Sequence, residues 1–400
     1  MKKLSILPVN IRLFFYSLFL LTCLNGCFHD DDDSKQTPLP PPPVTNTMTV
    51  AVELDGFQQN PAVVTNAEGS GTLTLDLDTG ALSGSIMTSG ITATAAHVHK
   101  AFSGANGGVI VSLNQDANDA NQWLVADNTV LSSEDIQSFL AGELYVNVHS
   151  DANPGGELRG QLLPDNIIVI WSQLSGDNEV PAVTTSASGR AAITVNTDTM
   201  ALTLHAMTMD LADATAAHIH SGMAGVNGGV AIGLEQDMDD VNHWWVAATF
   251  TQEQYDALWA GGLYVNVHSA TNPGGELRGQ LLPDNIIVIW SQLSGDNEVP
   301  AVTTSASGRA AITVNTDTMA LTLHAMTMDL ADATAAHIHS GMAGVNGGVA
   351  IGLEQDMDDV NHWWVAATFT QEQYDALWAG GLYVNVHSAT NPGGELRGQL

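Results

Sequence analysis

The sequence is almost without cysteine. Cys23 and Cys27 are the only two in 400 residues, and both lie within the first 27. The rest of the chain therefore has no disulfide, no cysteine nucleophile and no thiolate metal site. Basic residues are nearly as scarce, 10 against 43 acids, and Lys2, Lys3 and Arg12 belong to the N-terminal segment. So acidic a remainder offers no basic patch for nucleic acid and repels anionic lipid. Long apolar runs are missing too. The one candidate, Leu13–Leu21, is shorter than a bilayer-spanning helix needs.

What is present begins with MKKLSILPVNIRLFFYSLFLLTCLNGC: a basic start, a short apolar stretch and small residues before a cysteine. That layout predicts a signal peptide over residues 1–27. Leu24-Asn25-Gly26-Cys27 resembles a bacterial lipobox, which implies a lipid on Cys27. Phe28 stands where aspartate would mark inner-membrane retention, so the outer membrane is the expected address. Asp30–Asp33 and a run of prolines follow, an acidic extended tether over 28–46.

Beyond the tether the chain repeats. Residues 162–280 and 281–399 are the same 119 letters, and 47–161 is a diverged copy. A period of this length is domain-sized, which predicts domains at 47–162, 163–281 and 282–400. Within the second, IIVIWSQLSG, RAAITVN, MALTLHAMTM, TAAHIH, GGVAIGL, HWWVAATF, LYVNVHS and GELRGQLL read as short strands separated by turn residues. One helix interrupts them, announced by the capping-box letters Thr251-Gln252-Glu253-Gln254 and ended at Gly261; Ser132 to Ala141 plays that part in the first copy. The expected fold is all-β: three tandem antiparallel Greek-key-like sandwich or barrel domains, each with one short helix.

Three ordered blocks, LSGDNEVPAVTTSASG, AAHIHSGMAGVNGGV and LYVNVHSATNPGGELRGQL, make each repeat resemble the CHRD domain, named from the animal protein chordin. The first copy departs at the opening block, with LDGFQQNPAVVTNAEG. The resemblance implies an all-β extracellular domain without established catalysis. Chordin captures signalling ligands, a role that a shared fold does not transfer.

Each copy carries a His-x-His pair before a glycine-rich turn and a third histidine at the end of LYVNVH. These are His97, His99 and His149; His218, His220 and His268; His337, His339 and His387. On a strand, residues i and i+2 share a face, so the pair projects together. Three converging imidazoles could hold zinc or copper. Equally, the histidines could be a structural corner satisfied by Glu157, Glu276 and Glu395 or Asn147, Asn266 and Asn385. His205 and His243 stand apart, because the first copy has Ser85 and Gln122 there. A fainter similarity to copper/zinc superoxide dismutase places Arg159, Arg278 and Arg397 as anion-guiding arginines. That family's fourth copper histidine, zinc loop and disulfide have no counterpart in the first copy.

Other constellations point to architecture. Asp237–Asp240 reads as a solvated acidic loop without calcium-loop spacing. Alternation sends one of Trp244 and Trp245 outward and the other inward. No Ser-His-Asp order or paired-carboxylate setting marks a catalytic site. The leading expectation is a lipid-anchored cell-envelope protein whose repeats act non-enzymatically, as a binding, adhesion or structural module for a protein or glycan ligand. The alternative is a zinc- or copper-binding or redox protein using one histidine triad per domain.

Overall fold

A computed structural model describes residues 46–400. The leader 1–27 with Cys27, and the tether up to residue 45, lie outside the described residues. No described helix is long and apolar enough to cross a membrane.

Three successive antiparallel barrel-like sheets, the third a closed barrel, make up the described chain, as the turn spacing predicts. In the first, the strands run Thr47–Leu54, Glu68–Asp76, Leu82–Ser89, Ala93–Lys100, Gly108–Gln115, Gln122–Val125, Leu144–Ser150 and Leu158–Gln161. In space the sixth pairs with the third and the seventh with the fourth, a Greek-key crossover. An Asp55–Arg159 bridge draws the first and last strands together. The third barrel closes in the same order. In the second, the stretch matching Gly108–Gln115 is split into Val230–Gly233 and Glu235–Gln236.

Alternation builds each core. Along Ala93–Lys100, Ala96 and Val98 face inward and are buried with Val146 and Val148 of the neighbouring strand. The opposite set, His97 and His99, therefore stands on the outer wall of the barrel. Each barrel has its own apolar cluster.

The helix of the second repeat, Gln252–Trp259, starts at the expected capping box: Thr251 Oγ1 accepts from the Gln254 backbone, and Gln254 Oε1 accepts from the Thr251 backbone. Leu258 is buried in the core cluster of that repeat. Gly261, at φ +73°, turns the chain out of the helix. The first repeat repeats the device with Ser132 and Gly142. Trp244 is buried in the core and Trp245 lies outward.

Successive repeats are in contact. Arg190 of the second lies between Phe57 of the first and Trp171 of its own repeat, 4.0 and 4.4 Å from the ring centres. It donates to the Phe57 carbonyl at 2.6 Å. Arg309 stacks over Trp290 at 3.6 Å and donates to the Asp177 carbonyl across the next junction.

Candidate metal centre

Two adjacent strands position each histidine set. In the second repeat, Ala214–Ser221 carries His218 and His220 and pairs with Leu263–Ser269, which carries His268. In this register Asn266 lies opposite His218 and Tyr264 opposite His220. A bulge near Ala214–Ala216 sets His268 beside the pair. The ring centres of His218 and His268 are 5.0 Å apart, and those of His220 and His268 5.6 Å. In all three repeats one ring nitrogen from each histidine falls within 4.8 Å of the other two.

The outer ends of two rings are held by backbone. His220 Nδ1 lies 2.9 Å from the Gly228 carbonyl, and His268 Nδ1 lies 3.0 Å from the Pro273 carbonyl. A carbonyl only accepts, so both Nδ1 atoms carry the hydrogen and both Nε2 atoms are bare lone pairs. His220 Nε2, His268 Nε2 and His218 Nδ1 are buried without a hydrogen-bond partner. The third repeat duplicates this through Gly347 and Pro392, at 3.0 and 3.1 Å. In the first, Gly107 and Pro154 hold His99 and His149 at 2.9 Å each. There His97 Nδ1 and His149 Nε2 approach to 3.0 Å, where one shared proton or one cation would relieve them.

In the first repeat the carboxylate and amide partners expected for the triad are engaged elsewhere. Glu157 accepts from Thr65 at 2.8 Å and from Ser150. Asn147 accepts from Gln59 at 2.7 Å and donates to the Gly155 carbonyl.

The arginines are buried and do not line an open anion path. Arg159, Arg278 and Arg397 are each 1% exposed. Each guanidinium lies 3.5–3.6 Å from a tyrosine ring centre, over Tyr145, Tyr264 and Tyr383. Arg278 donates to the Met223 and Val226 carbonyls at 2.9 and 3.0 Å. It thus ties down the glycine loop whose Gly228 carbonyl orients His220. Tyr264, stacked 5.1 Å from His220, accepts from the Gly228 backbone at 3.1 Å. A solvent anion cannot reach these buried cations. Burial lowers the pKa of Arg159 to about 10.

Burial, before the neighbouring imidazoles, pulls His97, His218 and His337 below the ordinary histidine range. It does the same to His99, His220 and His387. Neutral imidazole, the ligating form, is favoured near pH 7.

A second histidine pair escaped the sequence-based expectation. His205 Nδ1 lies 2.9 Å from His243 Nε2, and His243 Nδ1 lies 3.0 Å from Asp237 Oδ2. His324, His362 and Asp356 repeat the chain in the third copy. Asp237 is thus more than part of a solvated loop. Burial, followed by His243 and Arg159, lowers the pKa of His205 to about 4. The available signal was joint absence: the first copy lacks both histidines together.

The CHRD domain model matches residues 50–162, 171–281 and 290–400. No curated protein and no solved structure matches the chain. Three matched stretches coincide with three barrel-like sheets that share one histidine arrangement, and the chain belongs to the CHRD domain family.

Proposed function

We propose that each CHRD repeat binds one zinc or copper ion on its histidine triad, and that a lipid on Cys27 anchors the three sites at the cell envelope, on the outer membrane. One observation carries this reading. Three buried ring nitrogens face one another within 4.8 Å, with no hydrogen-bond donor supplied to them in the second and third repeats. Bare lone pairs pointed at a common centre repel, and buried acceptors without donors cost roughly 1–3 kcal/mol each. A cation at the centre converts that penalty into coordination.

The surroundings support the same reading. Nδ1–H groups bonded to carbonyls fix the tautomer of two of the three imidazoles, the outer-shell arrangement that metal-bound histidines use. An all-imidazole set suits zinc and copper better than magnesium or calcium, which prefer oxygen ligands. Three protein ligands leave a coordination position for water or an exogenous ligand. The role is binding, with no reaction assigned. Three tethered sites raise the local concentration of metal, or of a protein or glycan bridged by it.

The test is elemental analysis and calorimetry on the chain from residue 28, stripped of metal and then titrated with zinc or copper. About three ions per chain are expected, falling to about two in His218→Ala/His268→Ala. No uptake at saturating metal would return the triads to a structural role.

A further inference from the structure

The second and third repeats have the same sequence in two environments, so they serve as controls for each other. At the end of the second repeat facing the third, Ala224 is 1% exposed, and Met223, Val226 and Trp259 are half-buried. A β-carbon placed on Gly225 would lie 3.0 Å from Ala311 Cβ of the third repeat; one on Gly261 would lie 2.7 Å from Ile286 Cγ2. Among the described residues, nothing covers the matching end of the third repeat. Met342, Val345 and Trp378 are 54, 54 and 55% exposed, and no atom lies within 4 Å of such a β-carbon on Gly344 or Gly380.

This bare face already has its docked shape. Gly225 and Gly344 adopt φ of +90° and +78°. Arg397 holds the Met342 and Val345 carbonyls at 2.9 Å each, as Arg278 holds theirs. Asn346 donates to the Val299 carbonyl at 2.5 Å, as Asn227 does to Val180. Nothing need reorganise on docking, which removes much of the ordering cost of association.

What it fits is given by the established junction. The face seated on the second repeat carries Trp290, Ala311 and His324 in one row across three strands, with Arg309 beside them. Ala311 is small enough to admit the glycine loop. The first repeat presents Ala51, Thr72 and Ser85 in that row, and Ser70 where Arg190 stands. Thr72 would put side-chain atoms into a gap of about 3 Å, so this face closes the array as capping repeats do.

We propose that the outward face of the third repeat is a docking site for a further copy of the same repeat, presented through its Trp–Ala–His row and its arginine. The array extends at one end and is capped at the other. Exposed apolar surface on a protein this acidic fits that use.

The chain from residue 28 has no cysteine, so a Val345→Cys variant carries a single thiol. A fourth copy of 282–400 is joined in phase after Leu400, and the thiol's labelling rate is compared with and without it. At least about a tenfold slowing, to the rate of Val226→Cys, is expected. Ala→Thr in the added copy, at the position matching Ala311, should restore fast labelling. An unchanged rate overturns the proposal. Independently, Ala51→Trp/Ser70→Arg/Thr72→Ala/Ser85→His should convert the capped face and drive the 28–400 chain, with no copy added, into head-to-tail oligomers. Sedimentation as a monomer at high concentration, with the barrels intact by circular dichroism, would also count against it.

Discussion

Glu179 Oε2 lies 3.4 Å from Asn266 Nδ2, while Glu179 Oε1 and Asn266 Oδ1 are buried acceptors with no donor. In the first repeat Gln59 occupies this place, and its amide donates to Asn147 Oδ1 at 2.7 Å. A proton on Glu179 would make the two arrangements equivalent. Burial accordingly raises the Glu179 pKa to about 7. Glu298 moves in the same direction for the same reason.

The folded-state pKa of Glu179 lies above its unfolded value. Its contribution is therefore complete below about pH 4.5 and is lost as pH rises through about 7. Glu179→Gln should remove this loss and raise stability at pH 8, by at most roughly 3 kcal/mol. Urea titrations at pH 5.5 and pH 8 measure it. Equal wild-type and variant slopes with pH would show that Glu179 carries no proton.

His205 has the opposite sign. Its pKa is lowered to about 4, so the unfolded chain takes up a proton below about pH 6.5 that the folded chain refuses. Stability is lost as pH falls from 6.5 towards 4. His205→Ser, the residue of the first repeat at that position, should cost about 1–2 kcal/mol at pH 7 through the lost His243 bond. The deficit should shrink or reverse near pH 4.5. A deficit independent of pH would contradict the neutral assignment.

Gly228 couples the backbone to the proposed metal site. A β-carbon there would lie 1.4 Å from the Ser221 carbonyl oxygen, so Gly228→Ala must displace the loop whose carbonyl orients His220. Zinc affinity of the second repeat should fall about 10–100-fold while the other two sites are unchanged. Competition with a chromophoric chelator would resolve one weak and two tight sites. Three unchanged sites would detach the carbonyl from ligand orientation.

Arg278 bridges two loop carbonyls above Tyr264, work that lysine's single ammonium cannot duplicate. Arg278→Lys should lower stability by about 2–3 kcal/mol, as loss of a charged, buried hydrogen-bond partner does. Thermal unfolding is the readout. An unaltered midpoint would return the arginine to a role outside the scaffold.

Much of the fold was legible because its causes are local. The capping box at Thr251, the glycine at 261 and the inward alternation of Ala217 and Ile219 act over a few residues, and the structure follows them. Repetition supplied the rest by lining up three versions of one pattern. The partners of the triad were not legible. Gly228 and Pro273 contribute backbone carbonyls, which any residue possesses, so their identities carry no trace of the bond. His205 and His243 are 38 residues apart, and only the pairing of two strands sets them together.

By itself the sequence determined an all-β chain of three like units, poor in cysteine and base, with three histidines in each, because period, turn letters and composition are written along one dimension. The tertiary structure decided which nitrogens face inward, that Arg159, Arg278 and Arg397 are buried braces, and that one face is covered in the second repeat yet bare in the third. The letters of those two repeats are the same, so the difference in exposure comes only from what is packed against them.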